Sequence, residues 1–299
     1  MINYQFFSIY RPVSQKFFNL AKKKYLSVYQ EKNIKNIEKL YQYKNWPMED
    51  SFFLNQNLPV FCVTDGVTLD PKIENGYPNP SGAYLVADEF AKQTVKVGTQ
   101  LYSNFIPDDL KKIFKSGNQA VKKINQKHGR LKSKINYLDF DLFACTAAFA
   151  VLKNNYLYWS TIADAFVAVF DKDGRQKFCS PNGWRFMKMP KISTEKERHV
   201  YIRKFLRNGF KQGKKIGYGV ATGEEKALKY LDYGKIKLTS GDLVILGSDG
   251  YYEYLSQIKF IKYLKNQDKK SLVRLEKELI NSDPGKYGHE RTLIAIKIL

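Results

Sequence analysis

Short apolar runs of strand length recur along the chain, and several of them end on an acidic residue. The runs 59–64 and 243–248 lead directly into the pairs Asp65-Gly66 and Asp249-Gly250. Apolar runs of this length, bounded by turn residues, predict buried β-strands. One Asp-Gly pair alone is typical of a simple turn. Two carboxylates at the ends of two buried strands favour instead a shared site for a hard cation.

The rest of the pattern predicts a mixture of strands and helices. We predict strands over 2–10, 140–152, 156–162, 165–170, 175–179, 235–238 and after Glu290, and helices within 14–44, 82–93, 106–127, 195–208, 223–233 and 251–279. Ser81 stands directly before the second of these helices, in the position of an N-cap. Short turns join the strands between 140 and 179, which predicts an antiparallel meander rather than βαβ units.

The charge of the chain is strongly basic, with 50 Lys and Arg against 29 Asp and Glu and a net charge of +21. Such a balance favours acidic partners: nucleic acid, anionic lipid, or phosphorylated and acidic proteins. The lysines are spread along the whole chain, which is also typical of an ordinary solvated surface. No nucleic-acid-binding motif accompanies the charge, so a nucleic-acid partner ranks last.

The cysteines and the apolar content indicate a protein of a reducing compartment. Cys62, Cys145 and Cys179 are odd in number and none is paired in C-x-x-C spacing. We therefore expect free thiols rather than disulfides or a zinc site.

No apolar run approaches the roughly 18–20 residues that cross a bilayer. We expect a cytoplasmic monomer without a membrane span.

Acidic residues stand beside the ends of apolar strands at four places along the chain. They are Glu49-Asp50, Asp65, Asp249 and Glu290. Mg²⁺ and Mn²⁺ prefer carboxylate, carbonyl and water oxygens. Two such ions about 3.5–4 Å apart need carboxylates gathered from several strands at one point. The pattern is consistent with such a two-metal centre.

In their order and strand context these motifs resemble the metal-dependent protein phosphatases, the PPM family or type 2C serine/threonine phosphatases. The motifs are Met48-Glu49-Asp50-Ser51, Val63-Thr64-Asp65-Gly66, Cys145-Thr146-Ala147 through Ala163-Asp164, Thr222-Gly223-Glu224 with Ser240-Gly241-Asp242 through Ser248-Asp249-Gly250, and His289-Glu290-Arg291-Thr292. The resemblance covers residues 45–299, with a basic insertion near 181–215. Residues 1–44 would form an edge strand and a basic helical arm packed on that domain.

The resemblance implies an α+β fold of four layers, α-β-β-α, in which two stacked antiparallel sheets are flanked by helices. It implies hydrolysis of phosphoserine and phosphothreonine monoesters on acidic phosphoproteins, by a water that bridges two Mn²⁺ or Mg²⁺ ions and attacks phosphorus in line. In that family pattern Asp65 bridges both ions and the Gly66 carbonyl binds one of them. The remaining ligands would be Asp249 and Glu290 for one ion, Glu49 and Asp50 for the other, and Asp164 with Glu253 for a third.

Some positions depart from the family pattern. Val67-Thr68 follows Asp65-Gly66 where many members have a histidine. Asn45 stands where some members have an arginine that holds phosphate, and the neighbouring Lys44 could supply a point charge there. Glu290 and Glu253 replace aspartates. An alternative function is therefore that of a catalytically weak pseudophosphatase, acting as a binding or regulatory module.

Overall fold

Two antiparallel sheets, each of five strands, form the centre of the protein. This computed structural model describes residues 3–30, 46–67, 80–131, 135, 137, 141–192 and 194–299. The first sheet has the order β1-β12-β11-β6-β7 and the second β10-β5-β4-β3-β2. Their strands are β1 (Tyr4–Arg11), β2 (Ser51–Leu54), β3 (Val60–Gly66), β4 (Cys145–Lys153), β5 (Tyr156–Ile162), β6 (Phe166–Phe170), β7 (Gln176–Cys179), β10 (Asp232–Lys237), β11 (Leu243–Gly247) and β12 (Arg291–Ile298).

Helices cover the outer face of each sheet. In the described chain they are α1 (Gln15–Gln30), α2 (Gly82–Leu101), α3 (Asp109–Lys127), α4 (Glu195–Tyr201), α5 (Ile258–Lys265), α6 (Lys269–Ser282) and α7 (Pro284–Tyr287). α2 and α3 pack on the second sheet, and α5 and α6 pack on the first. The N-terminus of α2 is capped by Ser81, as its sequence position predicts. Among the described residues, no helix combines the length and apolarity needed to cross a membrane.

The strands alternate their side chains between two apolar cores, which explains why their sequences are continuously apolar. In β3, Phe61 and Val63 point into the layer between the sheets, while Val60 and Cys62 pack under the helices. β11 divides its residues in the same way between the two faces of the first sheet. Strands buried on both faces read as apolar runs rather than as alternating patterns. The predicted α-β-β-α layering is confirmed.

The predicted meander is wrong at one point. β4 and β5 form a hairpin in the second sheet, but β6 and β7 form theirs in the first. The chain crosses between the sheets at residues 163–165, where Ala163 has a positive φ of 64°. Local turn signals predict each hairpin, but they do not contain the information that assigns two successive hairpins to different sheets.

Several element bounds also differ from the prediction. The helix predicted to end at 93 continues to Leu101, and the strand predicted to begin at 140 begins at Cys145. The helix predicted over 223–233 is a 3₁₀ segment, Glu225–Tyr230, followed by β10. The predicted arm beyond residue 30 lies outside the described residues. The three cysteines are free, as expected, with Cys62 and Cys145 buried and Cys179 half-buried.

The basic insertion at 181–215 is short and compact where it is described. It contains a 3₁₀ turn (Gly183–Phe186), α4, a π-helical turn (Ile202–Leu206) and a hairpin of β8 (Phe210–Lys211) and β9 (Lys214–Lys215). Arg207, which is only 7% exposed, binds the buried Asp141 at 2.5 Å and fastens the insertion to the domain. Leu206 packs there against Tyr218 and Val220, which continue to the cavity described below.

Candidate metal-binding active site

The acidic residues at the strand ends meet at one end of the two sheets. A single cavity of about 290 Å³ is lined by six of them: Glu49, Asp50, Asp65, Asp164, Asp249 and Glu290. Antiparallel pairing explains the meeting, because the end of β3 lies beside the start of β2, and the end of β11 lies beside the start of β12. Gly66 lines the same cavity. The structure thus gathers acidic residues that are up to 241 positions apart in the chain.

Glu290 joins the two sheets through its carboxylate. Its Oε1 accepts hydrogen bonds from the backbone N–H groups of Glu49 at 2.8 Å and Asp50 at 2.9 Å. Burial raises the pKa of Glu290 to about 7, and the two N–H donors oppose that rise. The segment that begins β2 is therefore held in place by an acid from the start of β12.

Two serine hydroxyls orient the neighbouring pair of acids. Ser248 donates to Asp50 at 2.7 Å, and its oxygen accepts the backbone N–H of Thr292 at 2.9 Å. Ser81 donates to Glu49 at 2.7 Å while capping α2. Both hydroxyls are buried, and a hydroxyl can donate and accept at the same time. These contacts fix the directions in which the carboxylates face the cavity.

Burial and mutual repulsion raise the pKa values throughout the cluster. The pKa of Asp50 rises to about 8, chiefly through burial and then through the charge of Glu290. The pKa of Asp65 rises well above its ordinary range through burial and through Asp50. Burial followed by repulsion raises Asp164 to a pKa of about 7 and Asp249 to about 6. Ionised carboxylates that lie close together in a low dielectric repel one another, which destabilises the folded protein unless a cation neutralises them.

The donor chemistry of the cavity fits a hard divalent cation. The described residues that line it include carboxylates and the hydroxyl of Thr146, but no lysine or arginine, although the chain carries +21. The Thr146 hydroxyl and Asp164 Oδ1 are buried without a hydrogen-bond partner, so both oxygens are available to a ligand. In the described chain, no three His, Cys, Asp or Glu side chains are already drawn together as tightly as a closed metal site requires. The fit therefore rests on the donor set and on these open oxygens.

Gly66 is required at this position by close packing. A Cβ atom there would lie 2.8 Å from the backbone of Ala83 and 2.8 Å from the carbonyl oxygen of Glu49. The backbone N–H of Gly66 donates to that same carbonyl at 3.1 Å. The end of β3, the start of α2 and the segment before β2 thus converge with no room for a side chain.

Asp164 and Glu253, expected to hold a third ion, face a neighbouring cavity of about 350 Å³. Four residues line both cavities, namely Asp164, Trp184, Asp249 and His289. Trp184 donates its indole N–H to Asp164 at 2.7 Å. Glu253 is exposed and forms an ion pair of 3.0 Å with Lys286. Asp164 thus belongs to the acidic cluster, whereas Glu253 lies at its outer margin beside a cation.

The histidine that would act as a proton donor after Asp65-Gly66 is missing, as the sequence indicates. Val67 lines the cavity where many family members have a histidine. His289 also lines the cavity, but its Nε2 lies 2.8 Å from the carbonyl oxygen of Gly285. A carbonyl oxygen only accepts, so Nε2 carries the ring proton and donates a hydrogen bond to this oxygen. Burial lowers the pKa of His289, and the neutral ring is therefore favoured. Lys44 lies outside the described residues.

Sequence patterns do not reveal every residue of this site. Trp184 lies in the insertion, and Tyr10 donates to Glu290 at 3.4 Å from the far N-terminus. Val13 and Phe17 also line the cavity. No local motif identifies these four residues. Ser248 could have been identified, because it belongs to the Ser-Asp-Gly motif.

Solved serine/threonine phosphatases resemble this chain along its full length. PstP/Ppp of Mycobacterium tuberculosis is 12% identical, with a TM-score of 0.54 and coverage of 100% of this chain and 99% of that one. The catalytic domain of PstP in complex with two manganese ions is 12% identical, with a TM-score of 0.56 and full coverage of both chains. Stp1 of Staphylococcus aureus is 13% identical, with a TM-score of 0.54 and coverage of 100% and 95%. No protein-family model and no curated protein matches the sequence.

At such identities a full-length structural match establishes the fold. The two antiparallel sheets and the helices that flank them are those that the motif resemblance implies. The chain has the fold of the PPM-type serine/threonine phosphatases.

Proposed function

We propose that this protein hydrolyses phosphoserine and phosphothreonine monoesters on proteins with the help of two Mn²⁺ or Mg²⁺ ions. The observation that carries the proposal is the convergence of six carboxylates in one cavity of a phosphatase fold, lined in its described part by no lysine or arginine. Such a cluster is costly without a cation, and phosphoryl transfer is a reaction in which paired cations are widely used.

The residues available for the ions are those named from the motifs. Asp65 would lie between the two ions, with the Gly66 carbonyl beside it. Asp249 and Glu290 would serve one ion, and Glu49 and Asp50 the other. When bound, divalent ions lower the pKa of water to make it a nucleophile and neutralise charge on phosphoryl oxygens. A third ion at Asp164 and Glu253 belongs to the same proposal, and there Lys286 competes for Glu253.

The chain's own residues prepare the site in two ways. Ser81 and Ser248 hold the carboxylates in fixed directions by hydrogen bonds of 2.7 Å. Val67, Tyr218 and Val220 pack against one another and form an apolar part of the cavity lining. Together these features preorganise the oxygens that receive the cations, so that little rearrangement is needed on binding.

The substrate in this proposal is a phosphorylated, acidic segment of a protein. Residues 181–215 contain 11 Lys and Arg and two Glu, which gives this insertion a formal charge of +9. Trp184 of the insertion lines the cavity, so this basic segment lies beside the active site. Within the segment, Arg203 and Arg207 are paired with the buried Asp141. Positive charge near a cavity attracts acidic substrates and raises the rate of association. Lys44 as a further contact to phosphate stays a prediction.

The test compares wild type with Asp65→Asn in the hydrolysis of p-nitrophenyl phosphate and of a phosphothreonine peptide, with and without Mn²⁺. We expect metal-dependent turnover in wild type and a loss of at least about 10²-fold in the variant. Asp173→Asn is the control, because Asp173 lies in the exposed turn between β6 and β7. Turnover by folded Asp65→Asn at the wild-type rate would refute the proposed mechanism.

A pseudophosphatase that binds metal or phosphoprotein without turnover is the second candidate. It is favoured by one specific observation: Val67 occupies the wall where a histidine would act, and His289 is committed to Gly285. Calorimetric titration with Mn²⁺ beside the activity assay separates the two. Metal binding without release of phosphate would favour the second candidate, and turnover would eliminate it.

A further inference from the structure

The N-terminal segment forms one wall of the acidic cavity. Val13 and Phe17 line the cavity together with Trp46, on the side of Glu49 and Glu290. The Phe17 ring stacks at a tilt on the ring of His289, with 4.1 Å between ring centroids. His289 immediately precedes Glu290, so this aromatic wall begins within one residue of the proposed metal ligands.

The wall is fixed in place by close contacts with the loop after α7. The backbone N–H of Ser14 donates to the carbonyl of Gly288 at 2.8 Å. A Cβ atom on Gly288 would lie 2.4 Å from Ser14 Oγ and 2.7 Å from Phe17 Cβ, so only glycine permits this docking. Phe18, 3% exposed, packs edge-on against Trp46 at 5.5 Å. A ligand therefore meets a preformed surface.

The chemistry of this wall contrasts with the rest of the protein. The three residues of this wall, Val13, Phe17 and Trp46, carry no charge. The chain as a whole is strongly basic, and the cavity floor is acidic. Consecutive residues of an extended peptide are about 3.3–3.6 Å apart. The residues that flank a phosphorylated residue at the acidic floor therefore lie within reach of the wall, which lines the same cavity, and burial of an apolar side chain there is favourable.

We propose that Phe17 and Trp46, backed by Val13, which is only 6% exposed, form an apolar subsite for the residue next to the phosphorylated one in a protein substrate. The inference rests on the proposed phosphatase function and adds to it a substrate class: acidic segments in which an apolar side chain flanks the phosphoresidue. Phe17 is a specificity-determining residue in this proposal, since its ring faces both the cavity and His289.

The test is a series of phosphothreonine peptides that differ only in the residue before or after phosphothreonine: Ser, Ala, Leu, Phe or Glu. For wild type we expect kcat/KM with Leu or Phe at one of the two positions to exceed that with Ser on the order of 10-fold, the lower range of what an apolar pocket provides. In Phe17→Ala this ratio should fall below about 3-fold, whatever the absolute rates. Leu20→Ala is the control, because Leu20 lies on the same helix and is 50% exposed.

A second variant, Phe17→Lys, should shift the preference from Leu toward Glu. A poorly folded protein cannot acquire a new preference, so this result does not depend on how well the alanine variant folds. Equal kcat/KM for all peptides in wild type, or an unchanged ratio in Phe17→Ala, would overturn the subsite. Failure of wild type to hydrolyse p-nitrophenyl phosphate with Mn²⁺ would instead count against the proposed function. In that case the peptide preference is measured as Kd by fluorescence anisotropy, so that the two failures stay distinct.

Discussion

Asp249→Asn should make the metal-free protein more stable while abolishing metal-dependent turnover. The Asp249 side chain is held in the cavity among carboxylates, and burial with repulsion by Asp50 raises its pKa from 3.8 to about 6. At about 1.4 kcal/mol for each pH unit, this difference would correspond to about 3 kcal/mol in a fully buried site. Asp249 is exposed to solvent, and screening by water lowers the destabilisation of the folded state by the ionised carboxyl to about 1 kcal/mol. Asparagine has nearly the same shape without the charge, so the variant avoids this cost.

The pH dependence follows from the direction of the shift. The folded-state pKa is raised, so the folded protein binds a proton more tightly than the unfolded chain. The destabilisation is therefore absent below about pH 4, where both states are protonated, and complete above about pH 6. Urea unfolding in EDTA should show a gain of about 1 kcal/mol for Asp249→Asn at pH 8, and little gain at pH 4.

Asp173→Asn, in an exposed turn, should leave stability unchanged within about 0.5 kcal/mol at both pH values. The reasoning is refuted if folded Asp249→Asn is no more stable than wild type at pH 8 without metal, or if it retains metal-dependent turnover. An equal gain in stability at pH 4 and pH 8 would also contradict the predicted charge effect, because a change in side-chain packing does not depend on the protonation of Asp249.

Three other outcomes follow from the same geometry. Gly66→Ala should destabilise the fold by at least about 2 kcal/mol and weaken metal affinity, since its Cβ would lie 2.8 Å from the backbone of Ala83; thermal melting and calorimetry measure the two effects. Asp141→Asn should lower the free energy of unfolding in urea by about 3–5 kcal/mol, because Arg207 is left buried and unpaired. The control Asp232→Asn breaks a more exposed ion pair and should lower it by less than about 1 kcal/mol. Mn²⁺ at about 100 times its Kd should stabilise wild type by about 3 kcal/mol and removal by EDTA should reverse this, and an unchanged melting temperature would argue against a resident cation.

The hydrophobic pattern alone locates much of this architecture. Continuous apolar runs predict β3 and β11 because these strands are buried on both faces, and each run ends on the acid that lines the cavity. The bounds of helices are less accurate, as with α2, which continues eight residues past its predicted end at 93. Packing against α3 and the second sheet extends that helix, and packing is not visible in a local window.

Two features of the protein can be derived from the order of its amino acids: the acids that stand at strand ends, and the continuous apolar strands that two-sided burial requires. Only the tertiary structure decided that β5 and β6 enter different sheets, which carries Asp164 to the same cavity as Asp65 and Asp249. It also decided that Ser248 binds Asp50 and that Phe17 forms a wall of that cavity. The two kinds of feature differ in the sequence separation of the residues involved. Strand formation depends on residues a few positions apart, whereas these contacts join distant residues that become neighbours only after both sheets have packed.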